Sequence, residues 1–163
     1  MNKLDLIKLK ITTKEDLSRW ISCSRFSGHK IVFTNGCFDI LHRGHVEYLA
    51  KAASLGDELI IGLNTDDSVK RLKGELRPIQ DEYSRALILA SLSFVSKVVL
   101  FDEDTPYTLI NQIIPDILVK GSDYKIEDIV GADIVLKNGG KVIPIDFVEG
   151  FSTTKIIDKL EHK

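Results

Sequence analysis

Short apolar runs alternate along this chain with segments whose apolar residues recur at helical spacing. The runs are KIVFTN, ELIIGLN, KVVLF, DILVKG and KVIPIDF, at residues 30–35, 58–64, 97–101, 116–121 and 141–147. They are rich in valine and isoleucine and mostly lack a polar alternate face, as strands do when a parallel sheet buries both of their sides. The pattern therefore predicts five buried parallel strands.

Helical patterns occupy the intervals between these runs. We predict helices near residues 44–55, 66–73, 80–93, 105–113 and 126–137, with a last helix in FSTTKIIDKL. A leading helix is expected to begin around TTKEDLSRW, where Thr12 and Glu15 have the spacing of a capping box. Five strands alternating with helices predict an α/β fold: a single-domain, Rossmann-like, doubly wound parallel sheet with right-handed crossovers. Residues 1–28 would form an N-terminal helical segment and residues 29–163 the α/β core.

Length, charge and cysteine content fit an ordinary globular domain. The chain has 163 residues and a formal net charge of -2, which gives no general attraction to nucleic acid or anionic membrane. Cys23 and Cys37 form neither a disulfide framework nor a CxxC zinc pair, which favours a reducing compartment. The N-terminus lacks the apolar core of a signal peptide, and no apolar stretch approaches membrane-spanning length. We therefore expect a soluble cytoplasmic protein.

Candidate chemistry follows four of the five predicted strands. The segments are TNGCFDILHRGH after the first strand, NTDDSVKRLKG after the second, KGSDY after the fourth and VEGFSTTKI after the fifth. Because doubly wound sheets bind ligands at the carboxyl ends of their strands, we expect these segments to meet at one edge of the sheet.

Two of the four histidines of the chain lie in the first of these segments. His42 and His45 are three residues apart and would share one face of the first helical turn. A helix N-terminus attracts anions, so a phosphate site is favoured. Gly36 would allow a close backbone approach or a sharp turn, and Gly44 lies near the start of the helix. Two alternatives stay open: a metal site completed by Asp39, and a pair of packed histidines bonded to backbone carbonyls. The spacing differs from the His-Glu-x-x-His of zinc hydrolases.

Cations and hydroxyls in the other segments also favour phosphate. Lys70, Arg71 and Lys73 cluster after the second strand, with Arg77 and Arg85 nearby. The simpler interpretations are that these cations lie on solvated helix faces and that Ser152, Thr153 and Thr154 are N-cap residues. No GxxxxGK[ST] or GxGxxG sequence occurs, so neither a P-loop nor a dehydrogenase fingerprint is present.

The HRGH sequence at 42–45, followed late in the chain by FSTTKI at 151–156, resembles the cytidylyltransferase-like nucleotidyltransferase superfamily. From about Lys30 onward the chain is similar to the D-glycero-D-manno-heptose 1-phosphate adenylyltransferases, in its long segment TNGCFDILHRGHVEYLAKAASLGDELIIGLNTDDSVKRLKG and in RPI, FDEDTP, DILVKGSDY and STTKII. Glycerol-3-phosphate cytidylyltransferases carry an arginine shortly before their Ser-Thr motif, where this chain has Phe147 and Val148.

The resemblance implies transfer of AMP from ATP to heptose 1-phosphate, giving ADP-heptose and pyrophosphate for bacterial surface polysaccharide. The alternative is a cytidylyltransferase acting on a polyol phosphate such as glycerol 3-phosphate. In many bacteria this unit is fused to a sugar kinase, for which 163 residues leave no room, so the stand-alone form is expected. Mg²⁺ would arrive with ATP, and a homodimer or higher homo-oligomer stays open as an alternative to a monomer.

The expected roles are distributed over the four segments. The catalytic residues would be His42, His45, Lys73 and Arg85. Together with both histidines, the residues expected to bind the nucleotide are Thr34, Asn35, Gly36, Cys37, Phe38, Asp39, Gly44, Lys120, Gly121, Asp123, Ser152, Thr153 and Thr154. The residues expected at the sugar phosphate are Asn64, Asp66, Arg71, Lys73, Arg77 and Tyr124. Asp39 could touch the magnesium ion, but no firm protein ligand to a metal is assigned.

Overall fold

All five strands expected from the apolar runs are present in the computed structural model, which describes residues 2–122, 125–146, 152, 153, 156, 157 and 159. The strands within this part of the chain are β1 (Ile11–Thr12), β2 (Ile31–Gly36), β3 (Glu58–Asn64), β4 (Lys97–Phe101), β5 (Ile117–Gly121) and β6 (Lys141–Ile145). The helices are α1 (Lys3–Lys8), α2 (Lys14–Phe26), α3 (Arg43–Ala53), α4 (Asp66–Lys73), α5 (Glu82–Ser91), α6 (Tyr107–Ile113) and α7 (Ala132–Lys137), with a 3₁₀ helix at Ile126–Asp128.

The strands form one parallel sheet in the order β1-β4-β3-β2-β5-β6. Val32 on β2 lies opposite Leu59 on β3 and Ile117 on β5. From β2 the chain moves outward through β3 and β4, and then returns to the other side of β2 with β5 and β6. The switch in strand order therefore falls between β2 and β5, where doubly wound sheets bind ligands.

Side chains on both faces of the sheet are buried, which explains why the runs lack a polar alternate face. Phe33 and Ile60 pack with Leu17 and the other apolar residues of α2, α6 and α7. Val32 and Ile61, one position away on the same strands, pack with the apolar residues of α3 and α5 on the opposite face. Two layers of helices thus enclose the sheet and hold the ends of its strands in place.

The expectation of five strands is corrected to six in the described part of the chain. The additional strand, β1, has two residues and pairs with β4 at the edge of the sheet. A run of two residues is too short to show an alternating pattern in the sequence. The N-terminal segment therefore contains a strand in addition to its helices.

Two helix boundaries also differ from expectation. The N-cap of α2 is Thr13, whose side chain accepts a hydrogen bond from the N–H of Asp16 at 3.2 Å, so the predicted capping box at Thr12 and Glu15 is wrong. The helix expected over 126–137 is split into the 3₁₀ helix and α7. Gly131 separates the two with φ of 84°, a left-handed conformation that a continuous helix does not contain.

The end of the chain is described in part. The backbone N–H of Ile156 donates to the carbonyl of Ser152 at 3.2 Å, the spacing of an α-helical turn. Phe147, Val148 and Phe151 lie outside the described residues. Within the described part of the chain, no helix has the length and apolar character needed to cross a bilayer.

Candidate functional site

A cleft of about 550 Å³ opens at the carboxyl ends of the strands, beside the switch point between β2 and β5. Gly36, Asn64 and Gly121, the last residues of β2, β3 and β5, all line it. Among the residues predicted to bind substrates, the cleft is lined by Asn35, Gly36, Cys37, Phe38, Asp39, His45, Asn64, Lys73, Arg77, Lys120, Gly121 and Thr153. Its size is that of a small-molecule site, and residues distant in sequence meet in it.

The histidine pair forms the start of α3. His42 is the N-cap residue, and its Nδ1 accepts a hydrogen bond from the backbone N–H of His45 at 3.4 Å. The two rings stack with their centroids 3.8 Å apart and their planes 17° from parallel. Since Nδ1 of His42 accepts, the proton of the neutral ring resides on Nε2, which is left to donate to a ligand. His45 lines the cleft, and His42 is stacked against the His45 ring.

Both histidines are uncharged at neutral pH. Burial lowers the pKa of His42 below its ordinary value. The pKa of His45 is lowered to about 4, mainly by burial and also by the neighbouring His42 ring, while the backbone of Ile40 opposes the shift. Nδ1 of His45 is buried without a hydrogen-bond partner of normal geometry among the described residues. The pair is therefore suited to donating hydrogen bonds from neutral rings.

Phe38 sets the position of His45 from the loop that precedes α3. Its backbone has φ of 43°, a left-handed conformation that is uncommon for a residue other than glycine. Its ring meets the His45 ring edge-on, with centroids 5.2 Å apart and planes at 71°. A Cβ atom at Gly36 would lie 3.0 Å from Cε2 of Phe38, so the glycine makes room for this ring. The glycine expected to allow ligand approach thus also has a packing role.

Among the described residues, three lysine and arginine side chains line the cleft from different elements. Lys73, the last residue of α4, has no hydrogen-bond or ion-pair partner among the residues that the structure describes. Arg77 lies in the loop between α4 and α5, and Lys120 lies on β5. Cations on separate walls can hold different phosphate groups of one polyanionic ligand.

The carboxylate of Asp39 forms its hydrogen bonds within the protein. It is 2 % exposed, and its Oδ2 accepts from Nε of Arg77 at 2.6 Å. Its Oδ1 accepts from the backbone N–H groups of Ile79 and Gln80 at 2.8 and 3.1 Å. Both oxygens are therefore engaged in fastening the loop between α4 and α5. This arrangement does not favour the nucleotide or metal role predicted for Asp39, and no cluster of three metal-ligating side chains occurs among the described residues.

Arg85 does not reach the cleft, in contrast to the prediction that it touches phosphate. It is 1 % exposed, and its three guanidinium nitrogens all donate to the protein. The acceptors are the carbonyl of Cys37, the carboxylate of Asp66 and the carbonyl of Gln80. Asp66, predicted at the sugar phosphate, forms an ion pair with this arginine instead.

Other predicted residues also lie away from the cleft. Arg71 is exposed, donates from Nε to Asp104 Oδ1 at 3.0 Å, and bonds the Asp102 carbonyl. Thr34 is fully buried and shares a hydrogen bond of 2.8 Å with the hydroxyl of Tyr48. Two further residues that do not line the cleft are Gly44, buried in the first turn of α3, and Ser152. The predicted residues outside the described part of the chain are Asp123, Tyr124 and Thr154.

Cys37 is a packing residue of the cleft wall. Burial raises the pKa of its thiol, and the nearby cations Lys73 and Arg85 oppose the shift. Its Sγ lies 3.9 Å from Oδ1 of Asn64, whose amide nitrogen donates to the hydroxyl of Ser68 at 2.9 Å. The thiol is therefore protonated at neutral pH, which argues against a role as a nucleophile.

Sequence reasoning missed several residues that line the cleft. They are Tyr48, Leu72, Asp104, Thr105, Pro106, Asp128, Ile129 and Val130. The strand-end rule, applied to the end of β4, would have found the three residues at 104–106, which come soon after that strand. Tyr48 lies three residues after His45 on α3, so helical spacing was a second available signal.

Comparison with known proteins gives the family. The model of the cytidylyltransferase-like family matches residues 33–159. The chain is 57% identical over 162 residues to the protein named "Bifunctional protein HldE" of Campylobacter jejuni, covering 99% of this chain and 33% of that protein. The protein of the same name in Citrifermentans bemidjiense is 56% identical over 151 residues, which are 93% of this chain and 31% of that protein. The chain thus spans about a third of the length of these relatives.

Solved structures agree with this assignment. The crystal structure of the lipopolysaccharide core biosynthesis protein from Thermoplasma volcanium has a TM-score of 0.62 and 33% sequence identity, covering 75% of this chain and all of that one. A pantoate-beta-alanine ligase from Francisella tularensis, at 18% identity and a TM-score of 0.57, covers 94% of this chain and 78% of that one and shares its fold. With the family model matching most of its length, the chain belongs to the cytidylyltransferase-like family.

Proposed function

We propose that this chain is a nucleotidyltransferase that transfers AMP from ATP to D-glycero-D-manno-heptose 1-phosphate, releasing pyrophosphate and forming ADP-heptose. One observation carries the proposal: His45, stacked against the His42 ring, meets Lys73 and Thr153 at one cleft at the switch point of the sheet, and Lys73 has no partner among the described residues. Such a set of neutral donors, cations and a hydroxyl matches the needs of a triphosphate and a second phosphate bound side by side.

The choice of a sugar phosphate as acceptor has three supports. The long segment that contains HRGH, together with RPI, FDEDTP and STTKII, resembles heptose 1-phosphate adenylyltransferases. The relative from Thermoplasma volcanium is named as a lipopolysaccharide core biosynthesis protein. The bifunctional relatives are about three times as long as this chain, as expected if it corresponds to one of two activities. The product would then supply heptose to a bacterial surface polysaccharide.

The acceptor needs little activation by the protein. A sugar phosphate has its second pKa near 6, so its attacking oxygen is already mostly anionic at neutral pH. The reaction is therefore limited by bringing two polyanions into line and by stabilising charge on the α-phosphate and the leaving pyrophosphate. No covalent intermediate is required, in keeping with the protonated thiol of Cys37.

The histidines are the proposed donors to the phosphate oxygens. His45 faces the cleft, and His42 presents Nε2–H from the N-cap of α3. The positive end of the α3 dipole acts on the same oxygens. Because both rings are neutral, they would act as hydrogen-bond donors to the charge that develops on the phosphate oxygens, and neither ring needs to be protonated to a cation. Donors placed in this way each contribute about 10²- to 10³-fold in rate.

The cations and the last helix would hold the remaining phosphates. We assign Lys73 to the β- and γ-phosphates together with Thr153, and Arg77 and Lys120 to the acceptor or nucleotide side. ATP would enter together with Mg²⁺, which would offset part of the charge of its phosphates, and no protein ligand to the ion is assigned. The roles of Asp123, Tyr124 and Thr154, which resemblance puts at the nucleotide or heptose, stay predictions.

A panel of substrates tests the proposal. Pyrophosphate release is measured for ATP, CTP, GTP and UTP, each with heptose 1-phosphate, glucose 1-phosphate and glycerol 3-phosphate. The proposal expects the ATP and heptose 1-phosphate pair to give the highest kcat/KM. Preference for CTP with glycerol 3-phosphate would instead identify a polyol phosphate cytidylyltransferase. ATP binding without pyrophosphate release from any acceptor would identify a binding protein.

A further inference from the structure

Arg85 is the largest of the fully buried side chains among the described residues. Nη1 donates to the carbonyl of Cys37 at 2.6 Å, Nη2 to Oδ1 of Asp66 at 2.7 Å, and Nε to the carbonyl of Gln80 at 3.0 Å. A buried guanidinium is tolerated only where its donors find acceptors, and here each nitrogen has one.

The three acceptors belong to three different segments, each of which contributes residues to the walls of the cleft. Cys37 lies in the loop between β2 and α3, Asp66 starts α4, and Gln80 lies in the loop between α4 and α5. Asp39 adds a second connection between two of these walls through its bonds to the loop at 77–80. Arg85 therefore fixes the loop before the histidines relative to the elements that carry Lys73 and Arg77.

The contact with Cys37 matters most because Cys37 immediately precedes Phe38 in the chain. Phe38 has a left-handed backbone conformation, which persists in a bulky residue only where its surroundings enforce it. The Phe38 ring in turn meets the edge of the His45 ring. A continuous path of contacts thus runs from the guanidinium through the Cys37 carbonyl and Phe38 to the histidine pair.

We propose that Arg85 is a positioning residue: by holding the Cys37 carbonyl, it keeps Phe38 against His45 and so orients both histidines toward the cleft. This inference rests on the proposed function in giving the histidines a role in catalysis. It differs from a direct role because the guanidinium is buried, does not line the cleft, and donates from each of its three nitrogens to an acceptor of the protein.

A double-mutant cycle separates the two roles. Arg85→Lys keeps the charge, but one ammonium group cannot serve three acceptors on three segments. We expect kcat to fall about 10²-fold from misplacement of the histidines, with KM for ATP changed less than about threefold. In a His45→Ala background, Arg85→Lys should cause no further loss, because residues that act as one unit are not additive. Losses that multiply would overturn the proposal.

Two further variants control for folding. Arg25→Lys alters another arginine that donates to a backbone carbonyl, that of Ile113 at 2.9 Å, but far from the cleft, and should leave kcat unchanged. Phe38→Leu removes the ring edge from His45 and leaves the arginine network intact. If Arg85→Lys is too unstable to assay, Phe38→Leu should still show the loss of kcat with a small change in KM. Full activity of a folded Phe38→Leu variant would contradict the proposal.

A measurement without substrate separates this inference from the proposed function. The ring signals of His45 are followed by NMR from pH 8 to pH 4.5 in wild type and in Arg85→Lys. The titratable group facing His45 is His42, whose signals are followed in parallel. In the variant the pKa of His45 should rise toward its ordinary value, because the ring loses its enclosure by Phe38. An identical titration in both proteins would reject the positioning role, even if wild type transfers no nucleotide.

Discussion

Nε of Arg77 donates to the buried Oδ2 of Asp39 at 2.6 Å, and this ion pair ties the loop between α4 and α5 to the loop before α3. Asp39→Asn should therefore destabilise the protein, because the amide replaces an anion that accepts from Arg77 and from the N–H of Ile79. Hydrogen bonds to a charged partner contribute about 1.5–3 kcal/mol, so we expect a loss of about 2 kcal/mol in the free energy of unfolding. Urea denaturation measures it.

The matched control for that substitution is Asp16→Asn. Asp16 pairs with Arg19 on the exposed face of α2, where solvent screens the charges. We expect no measurable shift of its urea midpoint. Equal midpoints for both variants would show that burial of the Asp39 pair does not matter to stability.

Replacing either cleft histidine should abolish most turnover. For His42→Ala and His45→Ala we expect kcat to fall about 10²- to 10³-fold, because each removes a proposed donor to the transition state. His29→Ala is the control, since His29 pairs with Glu58 at 3.1 Å before β2, at the amino ends of the strands. Pyrophosphate release at saturating ATP is the measurement. Unchanged rates in both cleft variants would remove the histidines from the mechanism.

The depressed pKa of His45 makes stability depend on pH in a defined window. In the folded protein the pKa is about 4, below the ordinary value near 6.5 that applies in the unfolded chain. Between these values the unfolded state binds more protons, so stability falls as pH is lowered from about 6.5 toward 4. The free energy of unfolding should therefore decline less steeply in His45→Gln than in wild type over this range. Parallel declines would argue against a buried, neutral His45.

Much of the cleft is predictable from the rule that a doubly wound sheet binds ligands at the carboxyl ends of its strands. This rule predicts Asn64, Lys120 and Thr153 at one edge because the strands are parallel, and all three line the cleft. Their roles in binding stay predictions. Strand position alone does not separate a polar side chain that faces a ligand from one that forms its bonds within the protein. Arg85 follows a cluster of cations in the sequence and is of a residue type that commonly binds phosphate. Its acceptors, however, lie at residues 37, 66 and 80, which only the folded chain brings together.

The other differences between the sequence-based expectations and the structure have local causes. β1 has two residues, and its pairing with β4 depends on a neighbour far along the chain. The N-cap of α2 is Thr13, whereas the sequence favoured Thr12. Two adjacent threonines offer the same side-chain oxygen, and the bonded N–H belongs to Asp16 instead of Glu15. Neither choice is determined by the residue types alone.

Lys73 provides the sharpest test of the phosphate assignment. Lys73→Ala removes a cation that lines the cleft and lacks a partner among the described residues, so we expect KM for ATP to rise about tenfold, which corresponds to about 1.4 kcal/mol of binding. Lys70→Ala is the control: Lys70 is on the same helix but pairs with Asp67 at 3.5 Å and does not line the cleft, so its KM should stay unchanged. Initial rates over a range of ATP concentrations decide between them. A larger rise for Lys70→Ala than for Lys73→Ala would place the triphosphate elsewhere.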